Sequence, residues 1–178
     1  MEWSLKPWNM SDAADIARYG NDPAIAANLR NAFPYPYTRK DAEQFINSCI
    51  SGEENRQLCR AVYVDGRAAG SIGVFRQEDV YCKRAEIGYW LARPYWGRGI
   101  MSAAVRRMCE EAFAHWDIVR IYAEVFASNT GSRRVLEKAG FQREGVLRQS
   151  VYKNGKLLDS HLYALLREDE GEISMRRQ

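Results

Sequence analysis

The chain has 178 residues, enough for one domain with a sizeable core, and its 46% apolar or aromatic and 28% charged residues match an ordinary globular protein. Its net charge of +3 suits anionic small ligands but does not call for nucleic acid, and no basic stripe interleaved with aromatics occurs. No apolar run approaches the ~18 residues of a membrane helix, and the first residues lack a basic-then-apolar leader, so a cytoplasmic monomer or homodimer without membrane contact is expected.

Cys49, Cys59, Cys82 and Cys109 show no C-x-x-C pairing, and His115 and His161 are the two histidines. Free thiols are therefore expected rather than a metal site or disulfide framework. In chain order, residues 2–8 read as a strand, and Ser11 and Asp12 read as the cap of a helix running to Tyr19. Asn21-Asp22-Pro23 opens a second helix, with Pro23 at a tolerated first-turn position. Two prolines keep Phe33-Pro34-Tyr35-Pro36-Tyr37 out of helix. Its aromatics Phe33, Tyr35 and Tyr37 either floor a substrate pocket or fill a gap between helices. Thr38 caps a third helix to about Ser51.

From Gln57 the period becomes two. Leu58–Val64, a turn at Asp65-Gly66, and Ala68–Phe75 form a hairpin, and 85–91 is the next strand. The helix from Ile100 to Trp116 has Met101, Ala104, Val105, Met108 and Ala112 on one face. A strand at 119–126 follows, then a helix capped near Asn129 and closed by Gly140. A final hairpin, 141–152 and 156–166, turns at Asn154-Gly155. Residues 1–167 are expected to form one mixed α/β domain and 168–178 a charged tail. The helix between strands 85–91 and 119–126 is the expected parallel crossover.

Gly97-Arg98-Gly99 lies where a strand turns into a helix, and uncovered N–H groups at a helix N-terminus attract phosphate oxygens. A dinucleotide fingerprint fails because Ser102 stands where its third glycine belongs, and no Gly-Lys-Ser/Thr run supports a Walker loop. A plain helix entry made of small residues remains open on these residues alone. Glu86 is the carboxylate of an otherwise apolar strand, on the pleat face of Gly88 and Trp90, and is either paired with an arginine or placed for proton transfer.

The stretch Leu91–Met101 resembles the acetyl-CoA-binding signature Q/R-x-x-G-x-G/A of the GNAT superfamily of N-acetyltransferases. Asn129-Thr130-Gly131-Ser132 and Leu136-Glu137-Lys138-Ala139-Gly140-Phe141 look like that family's second segment. Phe33-Pro34, Pro36-Tyr37-Thr38 and the Asn154-Gly155-Lys156 hairpin with Asp159 are similar to its RimJ/RimL-like branch. The likeness spans about residues 3–166. It implies a single-domain GNAT fold, a mixed and mostly antiparallel sheet of about seven strands flanked by helices.

The resemblance also implies acetyl transfer from acetyl-CoA, without a metal, to a primary amine: a protein N-terminal amine, ribosomal-protein-like, or a small amine. An aminoglycoside or polyamine acceptor and a non-catalytic CoA sensor are the rival readings. The implied cofactor contacts are Leu91, Trp96, Gly97, Arg98, Gly99, Ile100, Met101, Asn129 and Ser132. Phe33, Tyr35, Tyr37 and Glu86 are the implied acceptor contacts, with Arg148, Asp159 and His161 within reach. Glu86 is the implied general base, and Ser132 the group at the cofactor sulfur, against capping or helix surface. The chain departs from the family pattern at Pro94, which removes a side-chain contact, and at Leu136, which stands at the position where many relatives carry a tyrosine acid, so that no tyrosine acid is carried over.

Overall fold

A computed structural model describes residues 1–169. The strands are β1 (Trp3–Lys6), β2 (Gln57–Val64), β3 (Arg67–Arg76), β4 (Arg84–Leu91), β5 (Arg120–Phe126), β6 (Gln142–Lys153) and β7 (Lys156–Leu166). The helices are α1 (Ala13–Gly20), α2 (Pro23–Ala26), α3 (Arg39–Ser51), α4 (Ile100–His115) and α5 (Thr130–Ala139). Most of the tail expected over 168–178 lies outside the described residues.

The strands form one sheet in the order β1-β2-β3-β4-β5-β7-β6, antiparallel throughout except between β4 and β5. This is the mixed, mostly antiparallel α/β sheet of seven strands expected from the sequence, with α4 as the parallel crossover. Pleat alternation distributes the core. On β2, Leu58, Val62 and Val64 face one cluster with α4, α5 and Phe141, while Ala61 and the half-buried Cys59 and Tyr63 face the other with α1 and α3. The expected apolar face of α4 is buried, with Ala104, Val105, Met108 and Ala112 fully enclosed. Val105 and Met108 each contribute about 1.5–3 kcal/mol by leaving water, and the alanines less.

Local chemistry sets most boundaries. The Thr38 hydroxyl accepts from Asp41 N–H while the Asp41 carboxylate accepts from Thr38 N–H, a reciprocal cap for α3. Asn154 and Gly155 adopt positive φ of 51° and 75°, as the tight β6–β7 turn requires. Two expectations shift. The first strand is shorter than 2–8, because Pro7 has no N–H to continue it. Asp12 holds the N-cap position of α1 as expected, but its side chain caps nothing there; the side-chain cap is made a turn earlier by Asn9, whose Oδ1 accepts from Ser11 N–H at 2.9 Å while Asp12 Oδ2 accepts from Asn9 N–H at 3.0 Å. A one-turn 3-10 segment, Met10–Asp12, therefore precedes α1.

β3 and β4 approach closely at Gly70, where an added Cβ would lie 2.4 Å from the Trp90 carbonyl oxygen and 3.0 Å from Leu91 Cα. Backbone cannot yield as a flexible side chain does. Gly70→Ala is expected to destabilise the domain by about 1–3 kcal/mol, the cost of overpacking. A denaturant midpoint equal to that of the parent chain would refute this.

Candidate functional site

The site begins where two strands part. β4 and β5 pair only from Arg84↔Arg120 to Glu86↔Tyr122, whereas β5 stays paired with β7 as far as Phe126↔Ser160. Ala92 N–H donates to Ala69 O at 2.8 Å, so alternation along β4 turns the N–H and C=O groups of Leu91 and Tyr89 away from β3 and into the gap. Leu91 O is met there by the Trp96 indole N–H at 2.6 Å.

A cavity of about 610 Å³ runs from this gap to the start of α4. Gly97 and Gly99 hold φ of 72° and 78°, and an ideal Cβ on either meets nothing within 4 Å. Ile100, Met101 and Ser102 belong to the first turn of α4, where N–H groups have no helical acceptor. The positive end of the helix dipole, Arg98, Arg134 and Lys138 add to that charge, and no carboxylate lines the cavity. These residues fit a polyphosphate with an extended arm, the form of CoA.

Leu91, Trp96, Gly97, Arg98, Gly99, Ile100, Met101, Asn129 and Ser132, the contacts expected from the sequence, all line this cavity. Several are partly committed within the protein. Trp96 N–H donates to Arg93 O at 3.1 Å, and Arg98 Nε donates to Pro94 O at 3.2 Å. Asn129 caps α5 through Oδ1, which accepts from Ser132 N–H at 3.0 Å. Arg134 and Lys138 escaped the sequence reading, although their four-residue spacing on α5 puts them on one helix face.

A second cavity, of about 860 Å³, opens on the other side of β4. Phe33 and Tyr37 line it, stacked with ring centroids 4.4 Å apart, and Phe33 meets Trp90 edge-on at 5.7 Å. Its charged lining is Asp41, Glu86 and Glu124 against Arg30. Hydrogen bonds from Thr38 hold the Asp41 carboxyl below its ordinary range. Glu86 forms an ion pair with Arg30, whose side chain is 73% exposed, so the pair is solvent-screened and exchangeable. Tyr35 does not line the cavity and points to solvent, 54% exposed; of the loop's three aromatics only Phe33 and Tyr37 turn inward. Arg148, Asp159 and His161 do not line it either. Asp159 accepts from Gln149 N–H at 2.8 Å, across the irregularity between Leu147 and Val151, and His161 is buried in β7 beside Tyr163.

Asn28, Leu29, Tyr89 and Trp90 line both cavities. Tyr89 is a further residue that the sequence reading missed. Its hydroxyl lies 2.9 Å from Ser132 Oγ and donates to Ser132 O at 3.3 Å. Burial pushes its pKa above the ordinary phenol value, so it remains protonated at neutral pH. Leu136 is fully buried in the core, and the phenol near Ser132 arrives from β4 instead of α5. Among the described residues, no group of three or more side chains is arranged to hold a metal ion, and no helix is long and apolar enough to cross a membrane.

Comparison with known proteins matches residues 4–142 to the acetyltransferase (GNAT) domain family. The uncharacterized N-acetyltransferase p20 of Bacillus licheniformis is 32% identical over 169 residues, 93% of each chain. The ribosomal-protein-serine acetyltransferase of Escherichia coli is 34% identical over 95 residues, covering 52% of this chain and 53% of the relative. Among solved structures, Mycobacterium smegmatis RimJ in complex with CoA-disulfide superposes with a TM-score of 0.84 at 24% identity, covering 98% of this chain and 88% of that one.

Gly99→Ala would load a side chain onto left-handed backbone at a cost of about 1–2 kcal/mol. It should lower the melting temperature and weaken calorimetric binding of CoA more than Gly66→Ala, another left-handed glycine, in the distant β2–β3 turn. Equal CoA affinities in the two variants would count against the cradle.

Proposed function

The chain belongs to the GNAT acetyltransferases, and on that premise we propose that it moves the acetyl group of acetyl-CoA to a primary amine, either a protein N-terminal α-amine or a small amine. The observation that carries this reading is the meeting, at Tyr89 and Trp90, of a cation-lined cavity with a carboxylate-lined one. A polyanionic cosubstrate and a positively charged acceptor have complementary berths on the two sides of one strand. The ribosomal-protein name of the E. coli relative supports a protein acceptor. Free thiols and the use of acetyl-CoA suit a cytoplasmic setting.

Acetyl-CoA supplies an activated thioester carbonyl. Glu86 takes the proton that the acceptor ammonium must lose before its lone pair attacks, directly or through water. The screened Arg30 pair leaves the Glu86 carboxylate open to the cavity. Leu91 N–H, turned into the gap, donates to the developing oxyanion. As the C–N bond forms and the C–S bond breaks, Ser132 Oγ–H protonates the departing sulfur. Tyr89 O–H hydrogen-bonds the Ser132 oxygen across their 2.9 Å contact, and water carries the second proton shed by the acceptor nitrogen back to Ser132. An α-amine, with a reference pKa of ~7.7–8.0, needs less help from Glu86 than a lysine amine at ~10.4.

Thiol release with a panel of amines, followed by mass spectrometry for a single added acetyl group, tests the activity. CoA binding without release for any amine would leave a sensor in place of an enzyme. Ser132→Ala and Tyr89→Phe should each lower kcat by roughly tenfold to a hundredfold, at the low end for acid catalysis because a thiolate leaves easily. The KM for acetyl-CoA should change far less. If the two act as one unit, the double variant will be little slower than either single one. Full turnover by Ser132→Ala at saturating acetyl-CoA would remove the acid role.

A further inference from the structure

Lys153 takes no part in the transfer just described, yet its position is costly. It ends β6, is only 9% exposed, and its Nζ has one partner among the described residues, the neutral Oδ1 of Asn31 at 2.9 Å. No carboxylate among the described residues lies within ion-pair distance of it. An ammonium carries three donors and a full charge, and removing it from water is unfavourable unless an anion compensates. One amide oxygen leaves that compensation incomplete.

Lys153 and Asn31 line a third cavity, of about 320 Å³, together with Ser150 and Tyr152. It continues the acceptor cavity, since Arg30, Glu124 and Phe126 line both. Glu86 lies opposite Tyr122 on β5, and Glu124 follows two residues later on the same pleat face, about 7 Å along the strand. Glu124 Oε1 accepts from Ser160 Oγ at 2.5 Å, which fixes its carboxylate in the groove. The groove thus runs from carboxylates at the transfer end to a buried cation at the hairpin end.

We propose that Lys153 is an anion subsite for the acceptor, so that the preferred substrates are primary amines bearing a carboxylate or phosphate. The acceptor ammonium enters near Glu86 and Glu124, and its anionic group completes the charge of Lys153. This assignment rests on the amine-acetylation reading and narrows it. A purely cationic acceptor such as a polyamine would leave Lys153 uncompensated and place further positive charge beside it. The competing role for Lys153 is a staple, holding the β6–β7 hairpin to the loop that carries Asn31.

The test uses the full chain with saturating acetyl-CoA and matched acceptor pairs: Ser-Asp-Ala amide against Ser-Asn-Ala amide, β-alanine against β-alaninamide, and phosphoethanolamine against ethanolamine, with spermidine alongside. The acidic member of at least one pair should have a kcat/KM at least about tenfold higher, the gain of one charge-assisted contact. A preference in the peptide pair identifies a polypeptide N-terminus, and one in the other pairs a free small molecule. Lys153→Met should erase the advantage by raising the KM of the acidic acceptor to that of its neutral partner, and Lys153→Arg should keep part of it. Asn31→Ala, which breaks the staple but leaves the ammonium, should keep the acidic preference. No acidic preference in any pair, or spermidine as the best acceptor, would overturn the proposal even if Lys153→Met failed to fold. So would a Lys153→Met variant in which acidic and neutral acceptors lose KM equally. If no amine at all is acetylated while CoA still raises the melting temperature, it is the transfer reading that fails, and the subsite falls with it.

Discussion

The parting of β4 from β5 is the constraint on which the rest of the molecule turns. Parallel pairing stops at Glu86 and Tyr122, but both strands continue, each secured on its far side by an antiparallel neighbour. Main-chain groups left in such a gap carry a desolvation cost unless something meets them. Trp96 meets one, at Leu91 O. On the proposed function, the amide-bearing pantetheine arm meets others by lying in the gap as a short strand would. The cradle at Gly97 and Gly99 fixes one end of that arm, and Tyr89 and Ser132 mark the other.

Charge is sorted across β4 as well as shape. α4 brings its N-terminus and α5 brings Arg134 and Lys138 to one side, while β4, β5 and α3 bring Glu86, Glu124 and Asp41 to the other. The two fields are separated by one strand. Opposed partners are therefore drawn to opposite openings and meet at the residues common to both cavities. Trp90 and Phe33 keep the junction apolar, which strengthens electrostatic contacts made there.

Much of this was legible because the signals were local. The Asn129 cap, Gly140 at the end of α5, the Asn154-Gly155 turn and the apolar face of α4 each depend on neighbours within a turn or two. The glycine cradle was legible for the same reason. What stayed hidden depends on partners far apart in sequence: Tyr89 and Ser132 are separated by 43 residues, Arg30 and Glu86 by 56, and Asn31 and Lys153 by 122. Nothing in the period of either segment announces such a meeting. Tyr35 was misjudged for a different reason: a proline-rich loop has no fixed period from which to infer the inward side. The β6 irregularity after Leu147, at Arg148, has no signal in the sequence period either.

Tyr89 and Trp90 are adjacent in the chain yet serve opposite faces of the sheet, one turned to Ser132 and the other to Phe33. β4 thus behaves like a reading frame, in which neighbouring letters address different partners. Inserting or deleting one residue within β4, ahead of Tyr89, would exchange the two faces together, presenting an indole to the sulfur end and a phenol to the acceptor. Segment length in β4 is therefore as much a part of the chemistry as any side chain on it. The β2–β3 and β6–β7 turns, whose residues line neither of the two main cavities, are the places where the chain can change length without rewriting that frame.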